Sequence, residues 1–271
     1  MSKIGIIAGG GKLPILIGEQ LIQSGNKVVF FCIESYAKKS EYKNFVKTFI
    51  KLELISEIIK ILKIHKIEKI IMAGYVKRPS LKDIKFDLKG LMLIKEYALQ
   101  SKGDDKLLVA IAKFFEKEGF NFINWKNNCK NLFINEENLS YIKPSRKSLD
   151  NLNIGLKIFN KLGKIDLCQS MIIQNNIILG VEAAEGTDEL IKRCYKYKKK
   201  GDKGILLKFS KYNQDKRFDV PVIGLKTFKL LKKYNYEGVF VEKNHLIIID
   251  KDQVIDFCNN NSLFISSVKK I

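Results

Sequence analysis

Short all-apolar runs alternate with stretches of helical spacing through the first half of this chain. Residues 4–8 read as a buried strand, residues 13–22 as an amphipathic helix, 27–33 as a second strand, 54–64 as a helix and 69–73 as a third strand. Strand and helix taking turns in this way predict a parallel sheet. Two further helices are expected, one over 88–99 and one starting at Asp104 or Asp105 with Leu107, Leu108, Ile111, Ala112 and Phe115 on one face; residues 120–124 then close the first domain. The stretch 127–144 is polar, weakly periodic and interrupted by Pro144, which places a domain boundary there.

The second half starts its own pattern. A helix over 149–162 leads to two apolar runs, 169–174 and 177–181, joined by Asn175-Asn176, a pair that accepts the positive backbone angles of a tight hairpin. A helix over 188–197, a strand over 205–209, a helix that Thr227 can cap, a strand pair over 238–242 and 246–249, and a last helix over 251–258 capped by Asp250 complete the reading. The fold class is therefore α/β: a Rossmann-like parallel-sheet domain over 1–130, a mixed α/β domain over 131–271, and a cleft between them.

Composition narrows the picture less than it first suggests. The formal charge of +20 would normally raise nucleic acid or an anionic membrane as partners. Only Arg78, Arg146, Arg193 and Arg217 among the 49 basic residues are arginine, and Ile, Asn, Phe and Tyr are also heavily used, the signature of an AT-biased genome. No stripe of interleaved aromatic and basic residues appears, so no nucleic-acid partner is expected. No apolar run reaches the roughly 20 residues of a membrane span, and no basic-then-apolar leader opens the chain; a cytoplasmic protein is expected. The five cysteines are odd in number and widely spaced, which argues for buried inert thiols rather than a disulfide framework or zinc knuckle.

Against that background the clustered Gly, Pro, Arg and acidic residues carry the chemistry. Gly9-Gly10-Gly11-Lys12-Leu13 turns from the first strand into a helix, and Glu34 ends the second strand where a ribose-binding carboxylate would stand. Pro14 replaces the third glycine of a dinucleotide fingerprint, so the turn is either a phosphate-binding cradle without a nicotinamide cofactor or a plain tight turn. Arg78 follows the third strand and is either a phosphate clamp or a solvated cation. Beside Gly103, one of Asp104 and Asp105 caps a helix, leaving the other to face the cleft. Glu182, Glu185 and Asp188, with Ala183, Gly186 and Thr187 between them, place three acids on a small-residue loop, more than capping requires and suited to substrate or metal. Asp215, Arg217 and Asp219 alternate along a second loop, as an ion-pair network or as oxygen ligands for a hard divalent cation. With His65 and His245 as the only histidines, histidine catalysis and a zinc site are not expected.

Taken in order, the glycine turn, Gly74-x-Val76-x-Arg78-Pro79, Gly103-Asp104-Asp105, Gly180-Val181-Glu182-Ala183-Ala184-Glu185-Gly186-Thr187-Asp188 and Asp215-x-Arg217-x-Asp219-x-Pro221 resemble the LpxI family. The resemblance implies Mg²⁺-dependent hydrolysis of the pyrophosphate of UDP-2,3-diacylglucosamine to UMP and 2,3-diacylglucosamine 1-phosphate in lipid A biosynthesis, and a homodimer. It places the essential carboxylate at Asp219, with Asp215 second. The chemistry of pyrophosphate hydrolysis then assigns Asp219, with Asp215, to metal binding or water orientation, Arg217 and Arg78 to phosphate contact or support, and the glycine and acidic loops to substrate contact. The Lys excess would suit peripheral contact with an anionic inner membrane, where such a substrate resides. The rivals are an NAD- or nucleotide-sugar-binding oxidoreductase and a basic, non-enzymatic polyanion-binding protein.

Overall fold

The structure, a computed structural model, describes residues 3–77, 85–98, 104–163, 168–210, 217–218 and 220–269. Two compact units form: one from the chain up to Lys130 together with the segment around Arg217 and Phe218, the other from the remainder beyond Asn131.

The first unit contains β1 (Lys3–Ala8), α1 (Leu13–Gln23), β2 (Lys27–Ile33), β3 (Lys47–Ile50), α2 (Ile55–Ile64), β4 (Lys69–Ala73), α3 (Leu88–Ala98), α4 (Asp104–Lys117) and β5 (Asn121–Phe122). All five strands are parallel in the order β3-β2-β1-β4-β5. The chain moves outward from β1 in one direction and then restarts on its other side at β4, so the strand order reverses between β1 and β4, the place where open α/β sheets receive ligands. On one face Val29, Phe31, Ile58, Leu62 and Ile70 form the core with Phe115 and Phe122. Close packing of α1 on the sheet comes from Gly18, where a Cβ would lie 2.2 Å from the Phe30 ring. The intimate helix-to-strand contact expected of a third fingerprint glycine is thus made one turn later than the fingerprint places it.

The second unit contains α5 (Arg146–Gly163), β6 (Ser170–Gln174), β7 (Ile177–Val181), α6 (Thr187–Tyr195), β8 (Ile205–Lys208), β9 (Val222–Ile223), α7 (Leu225–Lys233), β10 (Gly238–Glu242), β11 (Ile247–Ile248), α8 (Lys251–Asn260) and β12 (Phe264–Val268). Its main sheet runs β12-β10-β8-β6-β7, with β8, β10 and β12 parallel and β6 antiparallel to both its neighbours. The Asn175-Asn176 hairpin forms as predicted, at φ of 50° and 61°.

Three local expectations are corrected. β10 does not pair with the strand after it: buried along its whole length, it takes β8 and β12 as neighbours, and β11 pairs with β9 in a separate two-stranded sheet. Thr227 is the third residue of α7, behind the N-cap Gly224, and its hydroxyl donates to Asp188 instead. Asp250 does hold the N-cap of α8, but in left-handed backbone at φ 53° and without a side-chain cap bond.

All five cysteines are buried and free. Burial pushes the thiols of Cys32, Cys129 and Cys194 up to about 11 and that of Cys258 up to about 12, against 9.0 in an unfolded chain. Folded values above unfolded ones mean that the stabilisation is complete below pH 9.0 and is lost as pH rises toward 11 or 12. Lys198 acts the other way: desolvation lowers its ammonium to about 8, so it disfavours the fold least at alkaline pH. Four thiols outweigh one amine, and the melting temperature is expected to fall progressively above about pH 9. A Cys258→Val variant should show a shallower fall in a pH series followed by circular dichroism.

Candidate active site

The edge of the second unit's sheet at which β8 and β10 end gathers most of the polar chemistry. Because β6 runs antiparallel, it begins where β8 ends, with Ser170 opposite Lys208; β7 then returns and ends beside it, with Val181 opposite Met171. Val241 pairs with Lys208, so Glu242 ends β10 at the same edge. The acidic loop of Glu182, Glu185 and Asp188 leaves from here after β7, and β8 ends here too.

Lys208 is the centre of this edge, and only 5% of it is exposed. Its Nζ donates to Thr187 Oγ1 at 2.6 Å and reaches Ser170 Oγ at 3.5 Å. The Thr187 hydroxyl in turn donates to Glu182 Oε2 at 3.0 Å, and the Glu182 amide donates to the Ser170 carbonyl at 2.8 Å. An ammonium, a hydroxyl and a carboxylate therefore form a chain that fixes the rotamer of Glu182. Glu242, also buried, accepts from both the amide and the hydroxyl of Ser210 at 2.7 and 2.5 Å, anchoring the root of the loop that leads to Arg217. Sequence reasoning passed over Lys208 and Glu242. The available signal was a charged residue at the end of an otherwise apolar strand, Ile-Leu-Leu-Lys-Phe or Val-Phe-Val-Glu, hidden in a chain rich in lysine.

The other residues of the acidic loop are held by helices. Glu185 pairs with Arg193 at 2.7 Å and accepts the Ala183 amide at 3.1 Å; the Arg193 hydrogen bond holds its carboxyl below the usual range. Arg193 also donates to the Val181 carbonyl, which clamps the loop against α6. Asp188 accepts from Thr227 at 2.8 Å and pairs with Lys226 at 2.9 Å, tying α6 to α7. Gly186, at φ 81°, is the N-cap residue of α6 and turns the chain so that Thr187 can point at Lys208.

Arg217 lies in the first unit. Its guanidinium bonds Glu116 of α4 at 2.9 Å and sits 4.9 Å over the Phe218 ring, which packs edge-on against Phe122. Asp215, Asp219 and Arg78 lie outside the described residues, and Asp104 and Asp105 begin α4 with side chains outside the described atoms.

At the switch point of the first unit, the loops after β1 and β4 are zipped together. The Gly10 amide donates to the Tyr75 carbonyl and the Tyr75 amide to the Gly10 carbonyl, both at 2.8 Å. A Cβ at Gly9 would stand 2.7 Å from the Tyr75 oxygen, and one at Gly74 2.8 Å from the Gly10 oxygen, so only glycine permits the approach. Gly11, at φ 84°, leads into Lys12, the N-cap residue of α1, with Leu13 and Pro14 in the first turn. Among the described residues nothing accepts from the Gly11 amide. Glu34 lies beyond β2 and lines a cavity of about 130 Å³ with Phe49, Lys51 and Glu57.

Among the described residues no three His, Cys, Asp or Glu side chains stand together as a metal-holding group. The expected Mg²⁺ ligands Asp215 and Asp219 fall outside that set.

Comparison with known proteins covers nearly the whole chain. Residues 3–132 match the LpxI N-terminal domain and residues 135–266 the LpxI C-terminal domain. A protein of Caulobacter vibrioides (strain ATCC 19089 / CIP 103742 / CB 15) named UDP-2,3-diacylglucosamine pyrophosphatase LpxI is 26% identical over 275 aligned residues, which span 99% of this chain and 98% of that protein.

Proposed function

Since the chain belongs to the LpxI family through both its halves, we propose that it hydrolyses the pyrophosphate of UDP-2,3-diacylglucosamine, as the name of its Caulobacter relative describes. The observation that supports the reading within the second unit is the buried Lys208–Thr187–Glu182 chain at the end of β8, beside the acidic loop that follows β7. In the reaction a water oxygen bonds to one phosphorus while the bridging P–O bond breaks. The bridging oxygen leaves with the electron pair, and UMP and 2,3-diacylglucosamine 1-phosphate share the two protons of the water as buffered phosphate.

Two demands follow for the protein: the non-bridging oxygens must be met by positive charge, and the water must be aimed. Arg217 and Arg78 are the proposed phosphate contacts, and Asp219 the group that orients water or holds a cation. In the second unit Lys208 and Thr187 hold Glu182 rigid. Asp215 and Asp219 are the proposed ligands of Mg²⁺, whose charge would offset that of the pyrophosphate. The cofactor-binding alternative is disfavoured at Gly10, whose amide is already bound to Tyr75 rather than offered to a dinucleotide.

Release of UMP from UDP-2,3-diacylglucosamine tests the reading directly. Turnover is expected with Mg²⁺, to vanish with excess chelator and to return when Mg²⁺ is restored. No UMP from folded protein under any metal condition would discard the reaction; turnover unaffected by chelation would discard the metal alone.

A further inference from the structure

One exposed surface takes no part in either loop cluster. On α3, Leu88, Leu91 and Met92 are 77%, 55% and 63% exposed, three large apolar side chains at i, i+3 and i+4 and so on one face. The opposite face is spent on packing: Leu93 and Tyr97 are buried, and Gly90 sits where a Cβ would meet the Phe86 side chain at 2.8 Å. The helix is also braced by the Lys117–Glu96 pair at the end of α4 and by the Lys89–Glu118 pair just beyond it. Its outward apolar face is therefore held rigidly. Exposed Lys85 and Lys95 stand at its two ends.

Apolar side chains in the middle and cations at the rim are the pattern of a helix lying in a bilayer interface. A second copy of this chain could also cover the face, and charge decides between them. The formal charge is +20, so two copies brought together on a lysine-rimmed face repel, whereas an anionic bilayer attracts it. Among the described residues no helix is long and apolar enough to cross a membrane, which leaves contact from the surface. We propose that α3 docks this protein on anionic lipid, with Leu88, Leu91 and Met92 entering the interface and Lys85 and Lys95 meeting headgroups. The docking deepens the reading of the substrate as a diacylated lipid, which must be collected from a bilayer, but its test does not depend on turnover.

The experiment is co-sedimentation of the full chain with vesicles of phosphatidylcholine, alone or with about a third phosphatidylglycerol. Binding to the anionic vesicles is expected, weakening with salt, and to fall at least about tenfold in the Leu91→Asp, Met92→Asp double variant. Lys85→Gln with Lys95→Gln should weaken binding less and flatten its salt dependence. Because the substituted side chains are exposed, circular dichroism should match the native protein, and the milder Leu91→Ser, Met92→Ser pair repeats the test if it does not. UMP release from detergent-dispersed substrate is expected to be unchanged in all these variants. Equal binding of native and double variant, or no binding of the native chain to anionic vesicles, would overturn the proposal. So would a native dimer in light scattering that becomes monomeric in the double variant while vesicle binding persists. Absence of UMP release with intact vesicle binding would instead count against the hydrolysis reading alone.

Discussion

Asp219→Ala is expected to lower UMP release by at least about a hundredfold, with the fold retained. A carboxylate that aims water or holds a cation acts through its charge, so removing it takes away stabilisation specific to the transition state. The loss should therefore appear in kcat, with KM changed far less. Asp219→Asn, which keeps shape but not charge, should be nearly as inactive, and that comparison separates chemistry from packing. Asp215→Ala is expected to cost less, in keeping with its second rank in the motif. Near-native turnover in Asp219→Ala would remove the centre of the proposed mechanism.

Lys208→Met should produce the second-largest loss. Methionine preserves the stem in a site that is 5% exposed, while deleting the bonds to Thr187 and Ser170. With the ammonium gone, the Thr187 hydroxyl is left with the weaker neutral partner Ser170 Oγ at 3.1 Å, and its hold on Glu182 loosens. Turnover is expected to fall at least about tenfold through kcat, accompanied by a stability loss of about 2 kcal/mol from the polar groups left buried. A purely structural lysine would give the second effect without the first. Thr187→Val and Thr187→Ser discriminate further: both hold the helix start, but only serine restores the link to Glu182, so only serine should recover activity. Equal turnover in the two would break the proposed relay, whatever their stabilities.

The central strands were legible because burial on both faces leaves an unbroken apolar run. β2 and β4 fall on the residues predicted for them, and β1 and β10 differ by at most one residue. The strands that went unread, β3, β9 and β12, are edges of their sheets. Lys47-Thr48-Phe49-Ile50 and Phe264-Ile265-Ser266-Ser267-Val268 carry polar residues that an edge tolerates, so their strand character comes from the neighbour they pair with. The site divides similarly. Acidic residues crowded on a loop stood out, and their placement on a common edge follows from strand direction. Which of them faces the chemistry did not stand out, because Glu182 and Glu185 differ only in what surrounds them: Lys208 through Thr187 for one, Arg193 for the other. Long-range pairing of that kind leaves no local trace in the sequence.

Phe218 gives the chain a further constraint. Its ring fills a place against Phe122, although nearly ninety positions separate it from the stretch ending at Lys130 that builds the rest of that unit. A fragment ending at Lys130 would keep every strand of the first sheet yet leave the Phe122 ring without that cover and Glu116 without its Arg217 partner. Synthesis of the first sheet is thus finished long before its core is, and the nascent first half must wait, partly uncovered, for a segment made after β8.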